Sequence, residues 1–340
     1  METKQIVFTA PGKAELLEKS LGAPGAGTVM VKTAFSTVSS GTERANLSGD
    51  NNVSCARGTE HTVVPFPRTV GYSSSGIVCA VGDGVTSVKE GDRVAVSWGK
   101  HSRYQIIREQ DVHPLGDATS MQDAAFGLIG TFPMAAIRKC RLEMGESAIV
   151  MGQGILGLIA VQLLRAAGAY PVIAADPLPE RRERALAFGA DLAFDPFVPD
   201  FAERVNRLTG GGVKVAVEVT GQGKALDQVL DCTARFGRVA LLGCTRNSDF
   251  TIDYYRKVHG PGISLIGAHT LARPVTESSA GMWTTRDDLR ALLNLAAGGR
   301  IRLAEMVQEV HSPENAPVVF DRLMNEKTFP IVQFDWNRIG

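Results

Sequence analysis

The spacing of hydrophobic positions changes near residue 120. Before it, short apolar runs such as GTVMVKTAFSTV, GIVCAVG and DRVAVSW are punctuated by Gly, Pro and Asp. That spacing predicts twisted strands joined by tight turns. The segment VGDGVTSVKEGDRVAV predicts two strands linked through Gly- and Asp-bearing turns. From about 121, the apolar segments SAIVMG, PVIAAD, VAVEVTG, RVALLG and ISLIGA alternate with the amphipathic stretches LGLIAVQLLRAAG, PERRERALAFGA, DFAERVNRLTG and KALDQVLDCTARFG. Such alternation predicts βαβ units with right-handed crossovers around a buried parallel sheet. Residues 285–340 predict a helix, TRDDLRALLNLAAGG, then mixed elements ending in the strand-like PIVQFDW. The expected organisation is α/β: a β-rich domain over 1–129, a doubly wound parallel sheet over 130–267, and a return to the first domain over 268–340.

The strand-like SAIVMG runs straight into Gly152-Gln153-Gly154-Ile155-Leu156-Gly157, a G-x-G-x-x-G at a strand-to-helix junction. Gly152 permits the tight turn, Gly154 lets a pyrophosphate approach the backbone, and Gly157 lets the helix pack on the strand. The N–H groups at the helix start would hold the pyrophosphate. PVIAAD ends in Asp176, about 20 residues further on, where an acid accepts from the adenosine ribose hydroxyls. A plain glycine-tolerant turn with Asp176 as a helix cap is the simpler alternative, but strand, helix and acid all fall where a dinucleotide needs them. The Asp176 carboxylate would repel a 2′-phosphate, which favours NAD over NADP. Arg181 and Arg182 are expected to face solvent. The strand ends Val219-Thr220-Gly221, Gly243-Cys244-Thr245 and Gly267-Ala268-His269 are expected to line the same crevice.

Charge removes several function classes. The 340 residues carry 36 Lys plus Arg against 36 Asp plus Glu, so no net charge draws the chain to nucleic acid or an anionic membrane. No basic leader with a long apolar run opens METKQIVFTAPGK, and no uncharged apolar stretch reaches the ~18 residues of a membrane span. A cytoplasmic location is expected. The five cysteines, Cys55, Cys79, Cys140, Cys232 and Cys244, are scattered and suggest free buried thiols in a reducing compartment. The six histidines, His61, His101, His113, His259, His269 and His311, show no metal-ligand spacing. Each is expected to be a hydrogen-bonded surface or loop residue, with His101 and His269 the two that could face a cleft.

A β-rich domain, a dinucleotide-binding domain and a return to the first resembles the medium-chain dehydrogenase/reductase superfamily, specifically its zinc-type alcohol and polyol dehydrogenase branch. The resemblance spans nearly the whole chain. It is carried by Gly41-Thr42-Glu43 after a strand, Gly71 before GIVCAVGDGV, Gly91-Asp92-Arg93-Val94, the fingerprint at 152–157, and Phe188-Gly189-Ala190-Asp191. It implies a GroES-like catalytic domain beside a Rossmann domain, an alcohol or ketone substrate, and Thr131 packed behind the nicotinamide. It also implies a homodimer joined through Rossmann edge strands, here GISLIGA at 262–268. The departures concern metal. Zinc-dependent members have Cys where this chain has Ser40, and Gly-His-Glu where it has Gly71-Tyr72-Ser73. A third ligand would fall near Gly127-Leu128. Catalytic zinc takes three ligands from Cys, His, Asp or Glu, so no zinc is expected. The cysteines of the structural zinc lobe are missing from DRVAVSWGKHSRYQII.

Moving a hydride from an alcohol carbon to NAD requires that the hydroxyl lose its proton and that the developing oxyanion be stabilised. Tyr72 is the candidate for the proton, Ser40 for a hydrogen bond to the substrate oxygen, Glu43 for orienting a neighbour or relaying the proton, and His101 for a general base. The plainer alternative is that Tyr72 and Ser40 fill vacated volume. Three functions stay open: an NAD-dependent oxidoreductase for a secondary alcohol (a polyol, sugar derivative or cyclitol), an NADPH-dependent quinone or enone C=C reductase, and a dinucleotide-binding protein without catalysis. The Ser-Gly-Thr-Glu and Gly-Tyr pair is also similar to bacteriochlorophyllide side-chain dehydrogenases, from which no substrate is carried over.

Overall fold

A computed structural model describes residues 1–55, 63, 65–248 and 250–339, so His61 lies outside the described residues. The chain forms two units, Met1–Ile129 with Ala296–Gly298 and Leu303–Gly340, and Gly130–Leu295 with Gly299–Arg302.

The first unit opens with β1 (Glu2–Ala10), β2 (Lys13–Ser20) and β3 (Thr28–Thr37), then helix α1 (Ser40–Ser48). Next come β4 (Arg68–Thr69), β5 (Ser73–Val81), β6 (Arg93–Ser97), β7 (Tyr104–Arg108), β8 (Val112–Pro114) and the short helix α2 (Met121–Ala124). Alternation in β3 and β5 buries Val29, Val31 and Val78 against Val94, Val96 and Ile107. The expected pairing across VGDGVTSVKEGDRVAV is present, with β5 antiparallel to β6 from Ser73↔Ser97 to Ile77↔Arg93.

The second unit begins within helix α3 (Gly127–Lys139). Its strands are β9 (Ala148–Met151), β10 (Val172–Ala175), β11 (Leu192–Phe194), β12 (Val213–Glu218), β13 (Thr233–Leu241) and β14 (Ser264–Gly267). Its helices are α4 (Ile155–Ala166), α5 (Pro179–Ala187), α6 (Phe201–Thr209), α7 (Gly223–Asp231) and α8 (Thr285–Ala297). The strands form one six-stranded sheet in the order β11-β10-β9-β12-β13-β14. Every adjacent pair is parallel. This is the doubly wound order that places a ligand beyond the carboxyl ends of the strands, where β9 is flanked by β10 and β12.

Two expectations about this unit need correction. KALDQVLDCTARFG is not one helix: α7 stops at Asp231, and Thr233 begins a strand. The Thr233 hydroxyl donates to Val229 O at 2.7 Å, Phe236 takes φ 61°, and Gly237 lies where a Cβ would meet the Thr233 methyl at 2.4 Å. The return to the first unit also comes at Leu303, not at 268. Helix α8 stays with the second unit because its apolar stripe of Leu289, Leu292 and Leu293 is buried there. Leu292 lies against Gly130, where a Cβ would meet Cδ2 at 2.3 Å, and Asp288 pairs with Arg138 at 3.0 Å.

After the return come β15 (Glu309–His311), α9 (Ala316–Asn325) and β16 (Val332–Asp335). Strands β15 and β16 extend the larger sheet of the first unit beside β3, and a core of Ile6, Phe8, Leu47, Phe320, Phe334 and Trp336 closes it. Of the cysteines, Cys140 and Cys232 are buried, and burial pushes both thiols up to about 12. Cys55, Cys79 and Cys244 are exposed, so the expectation of uniformly buried thiols is corrected. Among the described residues no helix is long and apolar enough to cross a membrane.

One ion cluster gives this unit an acid limit. The Glu309 carboxylate accepts from Arg322 Nη1 at 2.7 Å and Nη2 at 3.1 Å, and from His311 Nε2 at 2.7 Å. Hydrogen bonding from Arg322, then from His311, holds Glu309 down to about 2, against 4.5 for a free carboxyl. A depressed value adds stability above the unfolded value and loses it as pH falls through the folded one. The melting temperature of the wild type should therefore fall between about pH 4.5 and 2 more steeply than that of Glu309→Gln. The pair is part-exposed, so the difference at pH 7 should stay near or below about 1 kcal/mol. Parallel curves for the two proteins would remove the cluster from the acid response.

Candidate active site

In the second unit the fingerprint turn has the expected build. Gly152 takes φ 97°, and a Cβ on Gly157 would fall 1.9 Å from the Gly152 carbonyl oxygen, so helix α4 touches the turn through backbone alone. Gly154 caps α4 in extended conformation with no side-chain cap, and a Cβ there would meet open space. The first N–H groups of α4, from Ile155, Leu156 and Gly157, point out of the helix start, where an anion is favoured. Ile155 and Gln153 contribute through backbone, since both are buried. The Gln153 side chain turns inward and donates to Val150 O at 2.8 Å, so it is not available to a cofactor.

Asp176 ties the end of β10 to this turn. Its Oδ2 accepts from Gln153 N at 2.8 Å and its Oδ1 from Leu178 N at 3.0 Å. Each oxygen keeps acceptor capacity for ribose hydroxyls. Arg181 and Arg182 do not simply face solvent. Arg181 Nη1 lies 3.6 Å from Asp176 Oδ2, and Arg182 Nη1 donates to the carbonyls of Asp176 and Pro177, each at 2.8 Å.

The other strand ends contribute mostly shape. The Thr220 hydroxyl donates to Glu218 Oε1 and accepts from Gln222 N at 3.0 Å, so it has no proton to give a cofactor. Gly243 packs on Gly221, where a Cβ would meet Gly221 N at 2.2 Å, and Thr245 is exposed beyond it. A Cβ on Gly267 would meet nothing within 4 Å. His269 Nδ1 accepts from Leu271 N at 3.2 Å. Burial, then the Arg273 charge, pushes this ring below its ordinary value, so at pH 7 it is neutral, with Nε2–H as donor. Thr131 is fully buried in α3 and its carbonyl accepts from Arg273 Nη2 at 3.3 Å, so it offers no surface in this structure.

In the first unit the four residues singled out for chemistry separate into two layers. Tyr72 is part-exposed, beside Trp98 with ring centroids 6.2 Å apart, and its hydroxyl donates to Ser39 Oγ. Ser40, one residue on, is half-buried in the first turn of α1. Glu43 and His101 lie behind them, 2% and 0% exposed. His101, the candidate general base, is fully buried, so its ring meets no open surface in this structure. It is held instead by Glu43, with Nε2 3.1 Å from Oε2 and 3.2 Å from Oε1, and by Ser36 Oγ, 2.7 Å from Nδ1. Trp336 Nε1 donates to the same Ser36 Oγ at 2.8 Å. With Nε2–H donating to Glu43, Nδ1 is left to accept from the Ser36 hydroxyl, whose oxygen accepts from Trp336.

Glu43 is placed to orient its neighbours. Its Oε1 accepts from the Ser39 backbone N–H at 3.0 Å, while Glu43 N donates to Ser39 O at 2.8 Å. His101 also braces the tyrosine: its N–H donates to Val70 O at 2.8 Å, and Gly71, at φ 90°, passes so close that a Cβ would meet His101 N at 2.5 Å. One buried histidine, through its ring on Glu43 and its backbone N–H on Val70, thus braces both segments that carry the Tyr72–Ser39 hydroxyl pair. Sequence reasoning placed Tyr72 and Ser40 but missed Ser39. No local pattern marks Ser39: it is the N-cap of α1 but makes no side-chain cap bond.

These positions do not fit a metal. Ser40 and Tyr72 offer neutral hydroxyls, and Leu128 offers no donor. The Ser73 hydroxyl is already committed, donating to Ala125 O at 2.8 Å and accepting from Leu128 N at 3.2 Å. Catalytic zinc takes imidazole, thiolate or carboxylate. Among the described residues no group of three or more His, Cys, Asp or Glu is placed to hold an ion.

Comparison with known proteins agrees with this architecture. The family described as "Alcohol dehydrogenase GroES-like domain" matches residues 25–139, and "Zinc-binding dehydrogenase" matches residues 156–283. The chain is 28% identical over 298 residues to L-threonine 3-dehydrogenase of Pyrococcus horikoshii, covering 77% of this chain and 81% of that one. It is 24% identical over 331 residues to D-guloside 3-dehydrogenase of Escherichia coli K12, covering 92% and 94%. Its fold matches that of an Escherichia coli CFT073 alcohol dehydrogenase solved with NADH, with TM-score 0.82 and 18% identity over 98% of this chain and 99% of that one.

Proposed function

Because the chain belongs to the zinc-type alcohol dehydrogenase branch of the medium-chain dehydrogenase/reductase superfamily, we propose that it interconverts a secondary alcohol and its ketone, using a pair of hydroxyls where relatives hold a metal. It is a nicotinamide-dependent oxidoreductase acting on CH–OH groups. A polyol, sugar derivative or cyclitol is the substrate class favoured here, in line with the sugar-derivative substrate in the name of the D-guloside relative.

The hydrogen bond from Tyr72 to Ser39 carries the reading. A nicotinamide cofactor held at the fingerprint and strand ends would supply the hydride acceptor for the carbinol carbon. The hydroxyl proton passes through the Tyr72–Ser39 pair to water at the part-exposed end of the pair, each hydroxyl accepting one proton and giving up its own, so both end neutral. Glu43 and His101 keep Ser39 and Tyr72 at this separation while staying out of reach of substrate. NAD is the favoured cofactor because the Asp176 carboxylate stands where a 2′-phosphate would go. Arg181 beside it is the observation that keeps NADP in the test. Strand β14 ends the sheet order with one edge unpaired, so a homodimer through this edge belongs to the same proposal.

The test is metal content together with turnover of NAD and NADP on a panel of polyols, sugars and cyclitols. Active protein without stoichiometric zinc, unaffected by chelator and faster with NAD, is expected. Stoichiometric zinc, or reduction of enones by NADPH with no alcohol oxidation, would overturn the proposal.

A further inference from the structure

We infer that Glu218 is a positioning residue for the nicotinamide half of the cofactor, acting through the turn at 219–221; this rests on the nicotinamide-cofactor reading above. The direction of the dinucleotide follows from the sheet. The fingerprint leaves β9 and Asp176 ends β10, so the adenosine half lies on the β10 side. The other half then crosses the ends of β12 and β13 on the far side of β9. Glu218 is the last residue of β12.

Its carboxylate, 2% exposed, shapes the turn that follows. Oε1 accepts from Thr220 N at 2.7 Å, from the Thr220 hydroxyl and from Gly221 N at 3.2 Å, and Oε2 lies 3.1 Å from the same Gly221 N. Its backbone carbonyl accepts from Leu242 N at 2.9 Å and Gly243 N at 2.8 Å, which ties in the end of β13. The turn so held fits its neighbours closely. A Cβ on Gly152 would meet the Thr220 methyl at 2.8 Å, and one on Gly221 would meet Cys244 O at 2.6 Å. The turns after β9, β12 and β13 therefore meet around one buried acid. Burial pushes the Glu218 carboxyl up, and hydrogen bonds from Thr220 and Gly221 pull against it.

Three donors need two acceptor oxygens. Glu218→Gln has one, and whichever way its amide turns, an –NH2 faces either Gly221 N–H or the Thr220 donors. The turn should move while the fingerprint and Asp176 stay. Titration of NADH and of ADP, which lacks the nicotinamide half, separates the two regions. Glu218→Gln should raise the NADH dissociation constant about tenfold, or about 1.4 kcal/mol, with ADP changed less than about twofold. Thr220→Val removes one of the donors and keeps the methyl, so it should shift NADH binding the same way by about threefold, and it carries the test if Glu218→Gln fails to fold. Equal weakening for NADH and ADP, or no change in either, overturns the inference. Wild type that binds neither ligand overturns the cofactor reading and this inference with it. Normal binding without alcohol turnover strikes only the proposed reaction.

Discussion

Tyr72→Phe should lower kcat for alcohol oxidation by about two to three orders of magnitude, the range expected when a positioned proton acceptor is lost. NADH affinity should stay within about twofold, because every fingerprint and strand-end contact described here lies in the other unit. Phenylalanine keeps the ring against Trp98 and removes only the hydroxyl that donates to Ser39. The loss should fall on kcat and kcat/KM together, as for an interaction made in the transition state. Ser39→Ala should lose activity in the same direction, and the double variant should lose far less than the product, since the two hydroxyls act as one unit. Steady-state kinetics on whichever alcohol the panel identifies decides the matter. Turnover unchanged in Tyr72→Phe would leave the tyrosine a space-filler.

The second large effect is on stability. His101→Ala should cost the first unit about 3–5 kcal/mol in urea unfolding, the loss seen when one partner of a buried polar pair is removed. Two penalties combine. The Glu43 carboxyl, 2% exposed, loses its ring donor, and the vacated space lies against Phe320 and Phe334, whose centroids are 6.3 and 5.5 Å from the imidazole. The Ser36 hydroxyl loses its His101 partner as well, while Trp336 Nε1 keeps Ser36 Oγ as its acceptor. ADP binding by the second unit should be unchanged wherever the protein remains folded. A loss below about 1 kcal/mol would mean that the Glu43–His101 contact is dispensable.

Much of this could be seen in the chain alone, and the failures have physical causes. The parallel sheet was legible because buried strands such as AIVM and VIAA are apolar on both faces and alternate with amphipathic helices. Strand β11, Leu192–Phe194, was not, because three half-buried residues at a sheet edge carry no period. The KALDQVLDCTARFG boundary failed because apolar spacing continues through Cys232 while the backbone switches at Thr233. At the candidate site, residue identity located Tyr72 but could not tell which face of the unit it would occupy. His101 looked like a free base because histidines often are, and only tertiary packing shows a ring sealed under Gly71. Ser39 was passed over because its partner, Tyr72, is 33 residues away.

The hydroxyl of Ser73 bears on how easily a metal site could be built beside Tyr72. It joins β5 to the backbone at Ala125 and Leu128. A glutamate at 73 would have to enter a position 1% exposed and break both bonds, and a histidine at 72 would gain no partner from Leu128. Any replacement at Ser73 would break its bonds to Ala125 O and Leu128 N. An engineer installing an ion there would have to rebuild the 125–128 segment together with Tyr72 and Ser73.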